Sequence, residues 1–460
     1  MTASTPERAE RPLRFAAFVM NTVSHIQHGL WRHPSARQHE FEDVRLWIDL
    51  AKTLERGRFD AMFFADVVGL YGPADGDYAV NAAEGLQFPS NDPSVLIPAL
   101  AVNTEHLGFA FTSSVIQAHP FDFARRVSTL DHLTGGRIGW NVVTSALDSA
   151  ARNFGYDRLE DHDERYAWAD EYLDVVYKLW EGSWDDDAVL ADKGGGYADA
   201  ARIHRIDHVG ERYRVQGPHL VAPSPQRTPV IFQAGSSPVG RRFAARNAEA
   251  QFILSSTPEK TEALIADTRR LAVEAGRAAT DLQFFLGLSF VIGSTEQEAK
   301  AKEAEIDEYL SADGFLLHSN LGYDPRTGAR LDPDLPLSQL ETQQGQSHLQ
   351  WIKEASDEAD PTIADLARLS AKLRGRLVGT PEQIADELLA WQRRGVDGIN
   401  VMNWTVPGSY DAFVDELLPT LQERGLAQTE YTPGTLRRRL TGRDRLPDTH
   451  PAARFRGAFA

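Results

Sequence analysis

The chain has 460 residues, 42% of them hydrophobic, enough for a large core and too many for a disordered polymer. Asp and Glu outnumber Lys and Arg by 66 to 48, and the resulting charge of −18 argues against generic nucleic-acid binding. The absence of cysteine excludes disulfides, thiolate zinc sites, iron–sulfur clusters and a cysteine nucleophile, and it fits a cytoplasmic location. The N-terminal residues are charged where a signal peptide needs an apolar stretch. No run reaches the ~18 apolar residues of a membrane span.

Strands are predicted at Arg14–Met20, Asp60–Ala65, Leu107–Ser113, Arg137–Thr144, Pro229–Ala234, Ala250–Ser255, Gln283–Ile292 and Gly398–Met402. Helices are predicted between them. In the first, Phe41, Val44, Ile48, Ala51 and Leu54 recur at spacings of three and four, and Gly57 suits its stop. Others are predicted over Phe121–Leu133, Pro258–Ala275 and Glu296–Leu310, and Thr380-Pro381-Glu382 reads as a capped start. This alternation predicts an α/β protein, a (β/α)8 TIM barrel rather than an open doubly wound sheet. No G-x-G-x-x-G follows a strand, so a dinucleotide site is not expected. The barrel is assigned to residues 11–430. Segments 183–227 and 313–374 are too long for simple connections and are read as insertions. The first has a hairpin predicted at His204–Val215. Residues 431–460 form a C-terminal extension, whose Arg437, Arg438, Arg439, Arg443 and Arg445 are read as a subunit contact or a solvated arm.

In a parallel barrel the chemistry sits at the C-terminal ends of the strands. Gly235-Ser236-Ser237-Pro238 follows the fifth strand and opens a helix. It is either a phosphate site, with a close backbone and free N–H groups, or an ordinary N-cap. His162 and Tyr166 are four apart and share a helix face. Asp66 ends an apolar run, as a ligand contact or a turn cap. Asn141, inside a core strand, must be paired by a ligand or by a neighbour. His25, His28, His33 and His39 cluster after the first strand without zinc spacing. No metal is expected; one of these histidines is read as a proton donor or substrate contact. His318 and Gln343-Gln344 are lid candidates in the second insertion.

Gly29-Leu30-Trp31-Arg32-His33-Pro34, Glu55-Arg56-Gly57-Arg58-Phe59-Asp60, Asn141-Val142-Val143-Thr144-Ser145, Ala151-Arg152-Asn153-Phe154-Gly155 and His162-Asp163-Glu164-Arg165-Tyr166 occur in this order. Together they resemble the luciferase-like flavin monooxygenases, in the branch acting on nitrilotriacetate, EDTA, dibenzothiophene sulfone and long-chain alkanes. The resemblance runs from about Arg11 to Leu446-Pro447-Asp448. It implies a two-component monooxygenase that uses O2 and reduced FMN (FMNH2), delivered by diffusion from a separate NAD(P)H:flavin reductase. The substrate would be a small organic compound, xenobiotics included. The resemblance also implies a homodimer or homotetramer, while the acidic charge and the lack of an apolar span lead to no expected nucleic-acid or membrane partner. Flavin contacts carry over to Asp66, Thr112, His162, Tyr166, and Ser236 or Ser237, with Asn141 beside the ring. His25, Tyr71, Gln87 and His318 match positions on the substrate side, His25, Asn141 and His318 being the candidates for catalysis. Asn21 and Thr22 stand near where the alkane-oxidising relative has cysteine, which weakens an alkane assignment. The alternatives are a non-catalytic flavin-binding protein of this fold and a deazaflavin-dependent reductase.

Overall fold

The computed structural model describes residues 11–72, 78–254, 257–319, 321–324, 329–340, 349, 352–353, 356, 358–373 and 375–460. Eight parallel strands close into a ring: β1 Arg14–Met20, β2 Ala61–Ala65, β3 Gly108–Ser114, β4 Ile138–Val143, β5 Val230–Gln233, β6 Ala250–Ile253, β7 Gln283–Ile292 and β8 Gly398–Met402. Each pairs with its sequence neighbours, and β1 shuts the ring on β8 with Arg14 opposite Gly398 and Phe18 opposite Met402. This is the (β/α)8 barrel expected.

Alternate residues of each strand face the ring interior. Ala16, Ala61 and Ala110 there leave room for Phe18, Phe63, Phe232, Phe252 and Phe285. The rings of Phe18 and Phe252 meet at 4.7 Å, those of Phe63 and Phe232 at 5.4 Å. Gly139 makes this possible: a Cβ there would lie 2.7 Å from the Phe232 ring. Emptying one such phenylalanine site costs ~3–5 kcal/mol.

Helix α1 (Val44–Arg56) is capped by Asp43 and buries Leu46, Trp47, Leu50, Ala51 and Leu54. Of the predicted stripe, Phe41, Ala51 and Leu54 are buried and Ile48 packs half-buried against the core. Val44 is exposed, because a second set of residues at the same spacing includes the larger Trp47. The cap at Thr380 forms a full capping box with Gln383. One strand was not predicted: Arg376–Gly379 pairs with the upper half of the long β7, outside the ring.

Segment 183–227 carries two short antiparallel pairs, Val189–Asp192 with Gly196–Ala198 and His208–Val209 with Arg214–Val215, the latter within the predicted hairpin. Segment 313–374 lies mostly in a separate apolar cluster, including Leu316, Leu337, Ile352, Ile363 and Leu366, and helix Ala312–Ser319 opens it. No helix among the described residues is long and apolar enough to cross a membrane.

Within the arginine-rich tail, Arg437 and Arg439 are buried, Arg445 is half-buried, and Arg438 and Arg443 are exposed. Helix Leu436–Thr441 seals the N-terminal mouth of the barrel, with Leu436 and Leu440 joining the interior cluster. Arg437 is fully buried and paired with Glu249 at 2.7 Å, and its remaining donors go to the carbonyls of Gln226, Thr228 and Pro229. Arg445 and Arg456 both reach Glu181. Arg437 can enter the interior because its guanidinium donors are met by Glu249 and by backbone carbonyls.

Candidate active site

At the opposite mouth the C-terminal strand ends surround a cavity of ≈ 390 Å3. Its walls include Phe18, His25, Asp66, Tyr71, Gln87, Gln117, Tyr166, Gln233, Gly235 and His318. A second cavity of ≈ 550 Å3 shares Asp66, Gln87 and Gln117 with the first and reaches Thr112 and Asp92. Each is of the size of ligand sites, ~300–1,000 Å3.

One end of the first cavity is built from backbone. Helix α2 (His162–Tyr177) supplies Tyr166, and α3 (Pro238–Asn247) supplies an N-terminus. Ser237 alone caps α3, its Oγ accepting from Gly240 N at 3.2 Å; Ser236 is exposed on the preceding loop. Gln233 closes β5 and faces both ways, accepting from Gly235 N at 2.7 Å and donating to Tyr166 Oη at 3.4 Å. Side chains are excluded from this floor. A Cβ on Gly235 would run into Tyr166 Oη, and one on Gly240 would lie 2.8 Å from it. Burial raises the Tyr166 pKa, so the hydroxyl keeps its proton. His162 packs edge-on against Tyr166 at 5.4 Å, with Nε2 3.4 Å from Ser237 Oγ, but it is exposed and only the tyrosine enters the cavity.

Above the apolar interior lies a polar layer. Thr112 and Asn141 are opposite each other on β3 and β4, and Asn141 Nδ2 donates to Thr112 Oγ1 at 2.9 Å. Asn141 Oδ1 is buried without a hydrogen-bond partner. Asn141 lines neither cavity, and its hydrogen-bond partner Thr112 lines the second.

Asp66 stands just beyond β2, where the two cavities meet. Burial, with Asp92 adding to it, pushes its pKa up to about 7 against the pull of the Gln117 amide and the Val67 N–H. Gln117 is held in turn by Ser113 Oγ at 2.9 Å and by Ser114 N. A raised acid favours the fold while protonated. That contribution is complete below the ordinary carboxylate pKa and is lost as pH rises through about 7. Asp66→Asn is therefore expected to raise the thermal unfolding midpoint more at pH 8 than at pH 5. It should also remove any inflection near pH 7 from flavin titrations. Calorimetry and fluorescence titration check both; equal gains at the two pH values would show that Asp66 is not held neutral.

His25 lies against the Phe18 ring at 4.5 Å, with Nδ1 buried and unpartnered. Burial lowers its pKa to about 3, so near neutral pH it is a neutral imidazole that offers an N–H, not an imidazolium acid. Gln87, with a left-handed backbone (φ 47), donates to the His25 carbonyl at 3.0 Å and holds the loop. Tyr71 meets the His318 ring edge-on at 4.5 Å. His318 Nδ1 is 2.7 Å from His28 Nε2. The other loop histidines diverge, His33 toward Glu305 and His39 toward Glu40. Gln343-Gln344 lie outside the described residues. Sequence reasoning missed Gln117 and Gln233. The signal for Gln233 was a lone amide ending the apolar strand Val230–Gln233.

Residues 20–398 match the luciferase-like monooxygenase family. The dimethyl-sulfide monooxygenase of Hyphomicrobium sulfonivorans is 44% identical over 449 residues, 96% of this chain and 93% of that protein. The long-chain alkane monooxygenase of Geobacillus thermodenitrificans is 43% identical over 452 residues, 97% of this chain and 98% of that one. The crystal structure of DmoA from H. sulfonivorans superposes with a TM-score of 0.90 at 43% identity, covering 98% of this chain and 97% of DmoA.

Proposed function

This chain belongs to the luciferase-like monooxygenase family, and from that premise we propose that it is the oxygenating half of a two-component system fed with reduced FMN by a separate NAD(P)H:flavin reductase. The observation that carries the reading is the cavity at the C-terminal strand ends, with a side-chain-free floor at Gly235 and Gly240 under Tyr166 and an α-helix N-terminus beside it. Those features fit a phosphate. The polar layer of Asp66, Thr112 and Asn141 fits a heteroaromatic edge that both donates and accepts hydrogen bonds.

Tyr166, Ser236, Ser237 and His162 hold the phosphate end. Asp66 and Thr112 hold the ring edge, and Asn141 fixes Thr112. Reduced FMN, when bound, supplies the electrons that activate O2, so that one oxygen atom enters the substrate and the other leaves as water. The chain's own tasks are orientation and exclusion of water. His25 offers a neutral N–H to the reacting centre. Tyr71, Gln87 and His318 shape the substrate side, and the helix bearing His318 walls it. The substrate is a small organic molecule, and the relatives' sulfide, alkane, sulfone and aminopolycarboxylate substrates define the classes to try. Exposed Val95 and Val102 on and just after helix Pro93–Ala101 support a homo-oligomer, and a cytoplasmic site would place it beside its reductase.

The test is a panel of those classes incubated with the protein, a generic flavin reductase, NADH and isotopically heavy O2. Mass spectrometry should find one heavy oxygen in a product, and the protein alone should not oxidise NADH. Reduction of a substrate without O2, or NADH turnover by the pure protein, would sink the reading.

A further inference from the structure

Two amides stand with Asp66 at the partition between the cavities, for both cavities share the side chains of Asp66, Gln87 and Gln117. Gln87 spends its nitrogen on the His25 carbonyl at 3.0 Å. Gln117 stands in the turn after β3, where its backbone N–H donates to the Ser114 carbonyl at 3.0 Å. Its side-chain oxygen accepts from Ser113 Oγ at 2.9 Å and from the backbone N–H of Ser114. A backbone N–H can only donate. The atom it meets must therefore be the amide oxygen, and the NH2 group takes the other position. That NH2 group meets the Asp66 carboxyl.

An amide NH2 donates and does not accept. The edge of Asp66 that it meets is an acceptor edge, whether the acid is ionised or protonated. The Val67 N–H is a second fixed donor to the same carboxyl. What Asp66 shows a ligand is the rest: a hydrogen when protonated, a bare oxygen when ionised. The two donors favour the ionised form, while burial beside Asp92 opposes it. Among the described residues, the other charged or titratable groups lining the two cavities are Arg126, 3.8 Å from Asp92, and His25, Tyr71, Tyr166 and His318.

We propose that Gln117 is a positioning residue: its amide, locked by the backbone of Ser114, reserves one edge of the Asp66 carboxyl for the protein and leaves the other to the ligand. Its donation also holds down the pH at which that free edge changes from donor to acceptor. The bearing on flavin rests on the reading of Asp66 as a ring-edge contact; the orientation of the carboxyl does not.

The test is carbon-13 NMR of the flavin-free full chain labelled at its aspartate carboxyls, with Asp66→Asn identifying the signal. Gln117→Met keeps the length without the donor. It should move the Asp66 midpoint up by about one pH unit, the low end for a hydrogen bond to a charged group, since Gln117 is half-buried. Gln117→Glu keeps an oxygen for Ser113 and Ser114 and puts an acid where the donor was. The midpoint should rise further, the two carboxyls titrating as a pair. Because glutamate matches glutamine in shape, this variant carries the test if the methionine variant does not fold. Ser113→Ala should leave the midpoint in place, because the Ser114 N–H suffices to fix the amide. An unmoved midpoint in Q117M or Q117E, or an equal rise in S113A, would overturn the proposal and leave Gln117 a packing role. Q117M should also weaken FMN and riboflavin alike, each about 2- to 10-fold, the scale of a neutral hydrogen bond. A shifted midpoint beside unchanged flavin affinity would uphold the orientation and sink the ring-edge reading of Asp66.

Discussion

His25→Ala should lower product formation by about 10²-fold or more, the scale of a lost proton-transfer or hydrogen-bonding group, while FMN affinity stays within a few-fold. The argument is positional. The imidazole reaches the cavity and has a buried nitrogen without a partner, but it lies away from the glycine floor that would hold the phosphate. Its loop should survive the change, because Gln87 holds the backbone carbonyl of His25 and not its ring. With the His25 pKa at about 3, the variant should not alter the pH–rate profile between pH 5 and 8, and any inflection near 7 belongs to Asp66. Stopped-flow oxidation of reduced flavin, with product and hydrogen peroxide quantified together, checks this. Product should fall and peroxide rise. A wild-type product yield would move the role to His318.

FMN binding gives the second large effect. Tyr166→Phe removes one donor to a charged group, worth about 1.5–3 kcal/mol, or 10- to 150-fold in Kd. Ser236→Ala should cost less, since Ser236 is exposed. Gly235→Ala should cost at least as much as the tyrosine change, because its new methyl collides with Tyr166 Oη and crowds Gln233. The two act on one spot and should not add: with the hydroxyl gone, the methyl at position 235 meets less resistance. Riboflavin, which lacks the phosphate, should bind each variant nearly as well as wild type. Equal losses for FMN and riboflavin in titrations would move the phosphate elsewhere.

The barrel was legible because it is written in local pattern. Short apolar runs such as Arg14–Met20 and Gly398–Met402 are separated by amphipathic stretches, and the structure keeps the ends of these two strands to the residue. Arg376–Gly379 escaped because four residues with a charge and a glycine have no periodicity; the strand exists only because β7 is long enough to take a second neighbour. Spacing placed His162 and Tyr166 on one face, but depth depends on what packs there, and Phe243 and Gln233 draw in only the tyrosine. What stayed hidden in the site rests on distant partners. The raised pKa of Asp66 comes from burial with Asp92 adding to it, and His28 meets His318 across 290 positions. The buried Arg437 read as a surface charge because Glu249 is 188 residues away.

That last pair ties the barrel to the order of synthesis. Every strand of the ring is made before residues 436–440, so a nascent chain holds its eight strands while the lower mouth is still open. Until the closing helix arrives, Glu249 lacks its cation, and the pair that lets it be buried forms last. The barrel can therefore settle fully only after translation has passed the plug. Until then the interior cluster lacks Leu436 and Leu440.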